Sequence, residues 1–243
     1  MIKVVYFDEL SATDYLNIYN GGEEVQQKEK IKENTKALAE KANINLFAKM
    51  NWIFAGGSVS GNIDADFAQK NDSIFKTTLS NTVLTDYLEK AKLDERIEKI
   101  ENVFVRPPKN SIAFFKMFTP FLVMTKAEIE IEEGFCLDVS KLDDAFKNGK
   151  KYYEMIAENS KKQCVLRFNI GAFRNNYGIA DISKMDLKYF AVKVGTTEEY
   201  LLDIGKEFSM EEKVISSAFE IIDGNDVGNH LDVFDVVLAG VEA

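Results

Sequence analysis

The chain opens with a strand, a turn and a helix, and this opening constrains the fold more than any other feature. Residues Lys3–Phe7 are mostly β-branched or aromatic, which favours a strand. Ser11 and Asp14 form the S-x-x-D pattern of a capping box, so a short helix is expected to start at Ser11. Gly21 and Gly22 are typical helix stops. The fold must therefore accommodate both kinds of element from its first residues.

A second helix is predicted further along the chain. Its apolar positions recur at helical spacing, and they are Leu79, Val83, Leu84, Tyr87, Leu88 and Ala91. These residues share one broad face, and the same pattern extends towards Ile97 and Ile100. Between the two helices, residues 59–67 alternate between apolar and other side chains, which is typical of a strand or hairpin.

Strand patterns dominate beyond residue 106. Ala127–Glu132 alternates between apolar and charged side chains, and Phe135–Val139 is the expected partner strand of a hairpin. A helix is predicted over Leu142–Ser160. Further strands are expected at Cys164–Asn169, Tyr189–Val194, Val214–Ile222 and Leu231–Val241, with a helix opened by the capping pair Thr196 and Glu199.

These patterns predict an α+β fold in which an N-terminal strand and helices precede a mainly antiparallel sheet with helices packed on it. An antiparallel sheet is expected because most connections are too short for parallel crossovers. The two prolines of Arg106–Asn110 suit a boundary. Residues 1–106 would then form a strand- and helix-rich part and residues 107–243 a mixed α/β part, with one continuous domain as the alternative.

Charge and cysteine content limit the classes of function. The chain has 243 residues and a formal net charge of −10, which disfavours non-specific binding to nucleic acid and anionic lipid. The apolar run Ser111–Thr125 is shorter than the roughly 20 residues that span a bilayer, so no stable membrane insertion is expected. Met1–Asp8 does not resemble a signal peptide, and Cys136 and Cys164 lack CxxC spacing. A cytoplasmic location is expected.

Familiar catalytic and metal motifs are incomplete. His230 is the only histidine, which excludes two-histidine zinc motifs, and no G-x-S-x-G sequence marks a serine nucleophile. Gly56–Gly61 lacks the lysine that follows the glycines of a phosphate loop. Asp223–Asp232 resembles a calcium loop, but Phe234 stands where a bidentate glutamate is required. Turns are the simpler interpretation of both segments, and no cofactor or catalytic residue is predicted.

Two weaker hypotheses concern charged side chains. Asp8, Glu9 and Asp14 lie near the first strand end, where carboxylates can hold a divalent cation. A basic stretch interleaved with aromatic residues suits phosphate or single-stranded nucleic acid. Its cations are Lys147, Lys150, Lys151, Lys161, Lys162, Arg167 and Arg174.

The opening of the chain also resembles a known family. The similarity is carried by an aromatic-apolar-Asp strand end, a Ser-containing Tyr-Leu helix and a glycine, at Tyr6, Phe7, Asp8, Ser11, Tyr15, Leu16 and Gly21. With these residues the opening of the chain resembles the N-terminal segment of an uncharacterised bacterial protein family of unknown function. The resemblance implies a bacterial or mobile-element setting and transfers no activity.

The leading prediction is a non-enzymatic binding or interaction protein with a protein partner, because no set of catalytic side chains converges in the sequence. A phosphate- or nucleic-acid-directed protein, with the acidic metal site near Asp8, is the alternative. Reversible membrane contact through Ala55–Ala68 and the apolar run Phe114–Phe121 is a third hypothesis.

Overall fold

A computed structural model describes residues 1–20, 80–125, 128–132, 135–208 and 230–242. Its strands are β1 (Lys3–Phe7), β2 (Glu98–Ile100), β3 (Phe104–Arg106), β4 (Glu128–Glu132), β5 (Phe135–Asp138), β6 (Tyr152–Glu158), β7 (Gln163–Asn169), β8 (Lys188–Glu198) and β9 (His230–Val241). Its helices are α1 (Glu9–Tyr19), α2 (residues 80–91), α3 (Ile112–Lys116), α4 (Thr119–Leu122), α5 (Leu142–Gly149), α6 (Ile179–Ile182) and α7 (Ile204–Phe208). Short 3-10 turns cover Val139–Lys141, Ile170–Ala172 and Glu199–Leu202.

The chain forms two compact units, Met1–Asp8 with Glu95–Ala243, and Glu9–Asp94. In the first unit seven strands form one sheet in the order β2–β8–β9–β7–β6–β3, with β1 also paired to β9. β4 and β5 form a separate hairpin. In the second unit the ring of Tyr15 on α1 meets that of Tyr87 on α2 at 5.3 Å, and the Tyr15 hydroxyl donates to Asp94 at 2.8 Å.

β9 organises the sheet. β8 pairs with it antiparallel from His230 to Gly240, while β7 and β1 share its other edge. β1 runs antiparallel there, but β7 runs parallel, with Cys164 opposite Asp232. The α+β prediction is confirmed. The prediction of a mainly antiparallel sheet is wrong, because the sheet is mixed and has a parallel pair at its centre. The expectation of short connections misses this pair, since 60 residues separate Asn169 from His230 and leave room for a crossover.

The main core lies on one face of the sheet. Alternate residues of the central strands point into it, among them Tyr153, Met155, Leu166, Phe168 and Val236. Burying each such apolar side chain stabilises the fold by about 1.5–3 kcal/mol. The opposite face carries a smaller apolar cluster of Ile156, Val165, Leu231 and Val233.

Gly240 sets the spacing between β1 and β9. A Cβ atom there would clash with the Lys3 carbonyl oxygen and the Met1 side chain. Only glycine permits this close approach of two backbones. The contact keeps Phe7 opposite Leu238 and buries the end of β1 in the sheet.

The structure corrects two helix predictions. α1 begins at Glu9, directly after β1, so Ser11 lies inside the helix and does not cap it. The helix predicted over Leu142–Ser160 ends at Gly149, and β6 occupies Tyr152–Glu158. This segment forms a strand because its residues pair along the whole of β7, and alternate side chains then point into the core.

Two further corrections concern element ends. α2 ends near Ala91 instead of running on to Ile100, which lies in β2. Thr196 lies within β8, and Glu199 opens only a 3-10 turn. The predicted strand Lys3–Phe7, the β4–β5 hairpin, β7 and the closing strand β9 are confirmed.

Several predicted segments lie outside the described residues. They are Gly21–Gly22, Gly56–Gly61, Ala55–Ala68 and Val214–Ile222, together with residues 223–229 of the calcium-like loop. The division into residues 1–106 and 107–243 stays a prediction, although β1, β2 and β3 belong to the same sheet as the later strands.

Candidate functional site

The apolar run Ser111–Thr125 folds as two short helices. Ser111 caps α3, since its Oγ accepts the N–H of Phe114 at 3.1 Å and donates to the Pro108 carbonyl at 2.8 Å. Pro120 lies in the first turn of α4, a position that tolerates its missing N–H, whereas a longer helix would not. Within the described part of the chain, no helix is long and apolar enough to cross a bilayer.

Lys116, the single charged residue of this run, points into the protein and is only 6% exposed. Its Nζ forms an ion pair with Asp143 in the first turn of α5. The same carboxylate accepts from the Thr119 hydroxyl at 2.6 Å and pairs with Lys147 at 3.0 Å. A buried charge is tolerated only when it is paired and hydrogen-bonded, so this network fixes α3 and α4 against α5.

The network keeps the carboxylate of Asp143 ionised. Burial alone would raise the pKa of Asp143, but hydrogen bonds from Lys116, Thr119 and Lys147 outweigh that effect and lower the pKa to about 2. Hydrogen bonds that favour the charged form always act in this direction. The carboxylate of Asp143 is therefore ionised at neutral pH.

The apolar side chains around Lys116 face solvent. The exposed fractions are 40% for Phe115, 52% for Phe118, 63% for Phe121, 69% for Val123 and 77% for Met124. The half-buried Phe114 ring links the first two, with its centroid 5.8 Å from that of Phe115 and 5.2 Å from that of Phe118. We name these five exposed residues the aromatic surface. Single exposed apolar residues are ordinary, but a contiguous group of them marks an interaction site.

Three of the predicted phosphate-binding residues lie at or just beyond the end of α5. Lys147 pairs with Asp143, and Lys150 pairs with Glu154 at 2.8 Å. Lys151 is exposed and donates to the Lys147 carbonyl at 3.3 Å. An anion at this position would compete with carboxylates that already hold two of the three cations.

The other four predicted cations lie on later elements. Lys161 and Lys162 occupy the turn between β6 and β7, where Lys162 Nζ is 3.8 Å from a carboxylate oxygen of Asp232. Arg167 lies on β7, and Arg174 lies over the ring of Phe7 at 5.6 Å. The seven residues are thus distributed over α5, a turn, β7 and the segment after it, and phosphate contact by them stays a prediction.

A polar cluster surrounds Arg167 on the sheet face opposite the main core. Its Nε lies 2.8 Å from Asp235 Oδ1 as an ion pair, and its NH2 donates a hydrogen bond to Oδ2 at 3.4 Å. The guanidinium also lies 5.2 Å from the Tyr152 ring centroid. Burial raises the pKa of Asp235, Arg167 opposes the rise, and the charges of Asp8 and Glu154 add to it.

The predicted metal ligands are placed as follows. Asp8 is buried, and its Oδ2 accepts from the Tyr152 hydroxyl at 3.4 Å and from Asn169 Nδ2 at 3.3 Å. Glu9 opens α1, and Asp14 is exposed on it. No group of three or more His, Cys, Asp or Glu side chains in the described ranges is placed to hold a metal ion. The metal hypothesis for Asp8, Glu9 and Asp14 stays a prediction.

The apolar run is visible in the sequence, but its ion-pair partner Asp143, which determines its orientation, is not. The available signal is Lys116, because a charge inside an aromatic run needs a carboxylate if it is buried. The following segment offers several acidic residues, Asp138, Asp143 and Asp144 among them. Only the packing of α5 shows which one is used.

Comparison with known proteins gives one match. The searches of curated proteins and of solved structures found none. One family model, described as Domain of unknown function (DUF6414), matches residues 1–242. The match includes the opening strand and helix, the aromatic surface and the closing strand, and it confirms the resemblance to an uncharacterised family. The chain therefore belongs to the DUF6414 family.

Proposed function

We propose that this protein is a non-enzymatic binding protein that holds a protein partner on the aromatic surface. The supporting observation is the inverted orientation of the segment, in which Lys116 is buried while Phe118 and Phe121 are more than half exposed. Burying an ammonium group is costly even when it is paired. Leaving a large apolar side chain in water forgoes about 1.5–3 kcal/mol of stabilisation. Such an arrangement is explained by a partner that covers the surface.

The surface has the composition and rigidity that binding requires. Large aromatic side chains dominate the energetics of interfaces because each removes a large apolar area from water. α3 and α4 are fixed by the Ser111 cap and by the ion pair of Lys116 with Asp143. A surface fixed beforehand loses little conformational entropy when the partner binds.

The phosphate- or nucleic-acid-directed alternative has less support. Four of its seven cations, Lys147, Lys150, Lys162 and Arg167, lie in ion pairs with carboxylates. A phosphate would have to displace these partners in a chain whose net charge is −10. The aromatic surface needs no such displacement.

The proposal is tested by affinity capture from cells that express the protein. The wild type is compared with the double variant F118S/F121S, and the captured proteins are quantified by mass spectrometry. We expect the double variant to retain at least about tenfold less of a specific partner, since truncation of a single hot-spot aromatic costs more than about 1 kcal/mol and the variant truncates two.

A matched control removes two apolar side chains elsewhere. Val194 and Tyr200 are 48% and 58% exposed on β8 and the turn after it, and V194S/Y200S should capture as the wild type does. The free energy of unfolding of both double variants should lie within about 1 kcal/mol of the wild-type value, because all four substituted residues lie at the surface. Equal capture by the wild type and F118S/F121S would overturn the proposal.

We infer that the protein, and with it this partner, lies in the bacterial cytoplasm. The support comes from the sequence alone: the cysteines have no CxxC spacing and are too few for a disulfide framework, and the opening resembles a bacterial family.

A further inference from the structure

We propose that the partner of the aromatic surface is a polypeptide segment that combines apolar with basic side chains. This inference rests on the proposed function and specifies the chemistry of the partner. Its support is the charge distribution next to the aromatic surface. The segment 117–125 contains no charged residue and is followed by Lys126. The segment 127–140 then contains no basic residue and five acidic ones, namely Glu128, Glu130, Glu132, Glu133 and Asp138, so residues 117–140 carry a net charge of −4.

The fold places acidic groups of this segment beside the aromatic surface. β4 follows α4 after five residues, and Glu128 at its start lies opposite Asp138 at the end of β5. Asp138 leads directly into the turn Val139–Lys141, which contacts α4. The end of the hairpin that carries Glu128 and Asp138 is therefore the end next to α4, and Glu128 is exposed there.

The hairpin gains from a basic partner. Like charges directly opposite each other in an antiparallel pair are destabilising, and an isolated two-stranded hairpin is only marginally stable. Lys141 pairs with Asp138 at 3.0 Å, while Asp144 adds a further exposed carboxylate in the first turn of α5. A lysine or arginine from the partner would lie between these acidic groups and offset their repulsion.

The same charges select among occupants. An anionic membrane or a nucleic acid would be repelled by Glu128, Asp138 and Asp144. A polypeptide with apolar side chains can cover Phe118 and Phe121 while its basic side chains reach the hairpin. Complementary charge then fixes the orientation of the partner and raises its rate of association.

The test uses a synthetic helical peptide of about 18 residues that places leucine on one face and lysine on the other. A fluorescent label on the peptide reports binding to the full chain by anisotropy. Two companion peptides replace lysine with glutamate, or leucine with serine. We expect the leucine–lysine peptide to bind and both companions to bind at least about tenfold more weakly. Raising the salt concentration should weaken the binding, because exposed charge pairs are screened.

Variants of the chain separate local charge from the net charge. E128K reverses a charge on the hairpin. D186K makes the same change at the exposed Asp186, which precedes β8 in the large sheet. We expect E128K to weaken peptide binding about fivefold or more and D186K by less than about twofold. F118S/F121S, which keeps the net charge, should weaken binding at least about tenfold.

Each other outcome contradicts a specific part of the account. Equal effects of E128K and D186K, or equal binding of the leucine–glutamate peptide, would overturn the inference of a basic partner and leave the capture result standing. Uptake of the protein by phosphatidylcholine vesicles through Phe118 and Phe121, without peptide binding, would assign the surface to a membrane. Unchanged partner capture by F118S/F121S would overturn the proposed function itself.

Discussion

At the scale of single residues, the aromatic surface depends on Asp143, because this carboxylate neutralises the buried Lys116. In Asp143→Asn the buried lysine loses its counter-ion. We expect the free energy of unfolding to fall by about 3 kcal/mol near neutral pH, as when other buried pairs are broken. Urea unfolding followed by circular dichroism measures the loss. The control Asp144→Asn, exposed in the same helical turn, should cost less than about 1 kcal/mol.

The pKa of Asp143 predicts how this stabilisation varies with pH. The folded-state pKa is about 2 and the ordinary value is 3.8. The ionised form is thus favoured in the folded state, and the stabilisation is complete above about pH 4 and lost as the pH falls through about 2. The difference in unfolding free energy between the wild type and Asp143→Asn should shrink over that interval. A difference that stays constant down to about pH 2 would contradict the assignment.

The pKa of Asp235 is shifted in the opposite direction to that of Asp143. Burial raises the pKa of Asp235, and Arg167 opposes the rise, so Arg167→Met should raise it further. The unpaired carboxylate should cost about 2 kcal/mol of stability near neutral pH. The loss should diminish as the pH falls and the carboxyl group takes up its proton, because the protonated form is the one that burial favours. Carbon-13 NMR titration of the Asp235 carboxyl group in wild type and variant measures the shift directly.

At the scale of elements, the pairing of β1 with β9 depends on one glycine. Gly240→Ala would bring a Cβ atom against the backbone of Lys3, so β1 must move away. We expect a loss of about 1–3 kcal/mol, as in other overpacked sites, with faster hydrogen exchange at the amides of β1. Gly149→Ala is the matched control, since a Cβ atom there meets nothing within 4 Å. Equal exchange in the two variants would contradict the assignment.

Elements whose pattern is local are the ones that sequence analysis predicts. The β-branched and aromatic residues of β1, β7 and β9 predict these strands. The alternation of apolar and charged residues, with the turn after it, predicts the β4–β5 hairpin. The segment 152–158 is different, because Tyr153, Met155 and Ala157 alternate inward within a stretch that also carries helix-forming residues. Its strand state is decided by pairing with β7, which is a non-local interaction that propensity does not contain.

At the scale of the whole molecule, the class of fold could be predicted, while the central arrangement could not. The parallel pairing of β7 with β9 joins residues that lie more than 60 positions apart, and no local pattern encodes it. The candidate site likewise has one part that could be predicted from the sequence and one part that could not. The apolar run is visible in the sequence, but its orientation depends on Asp143, which only the packing of α5 brings to Lys116.

The most direct test of the account is site-specific photo-crosslinking in living cells. A photoreactive phenylalanine analogue replaces Phe121 on the aromatic surface or, as the control, Tyr200, which is 58% exposed on the turn after β8. The account predicts a discrete crosslinked partner from position 121, lost when Phe118→Ser is added, and none of comparable yield from position 200. Absence of an adduct at position 121, or equal adducts at both positions, would contradict it.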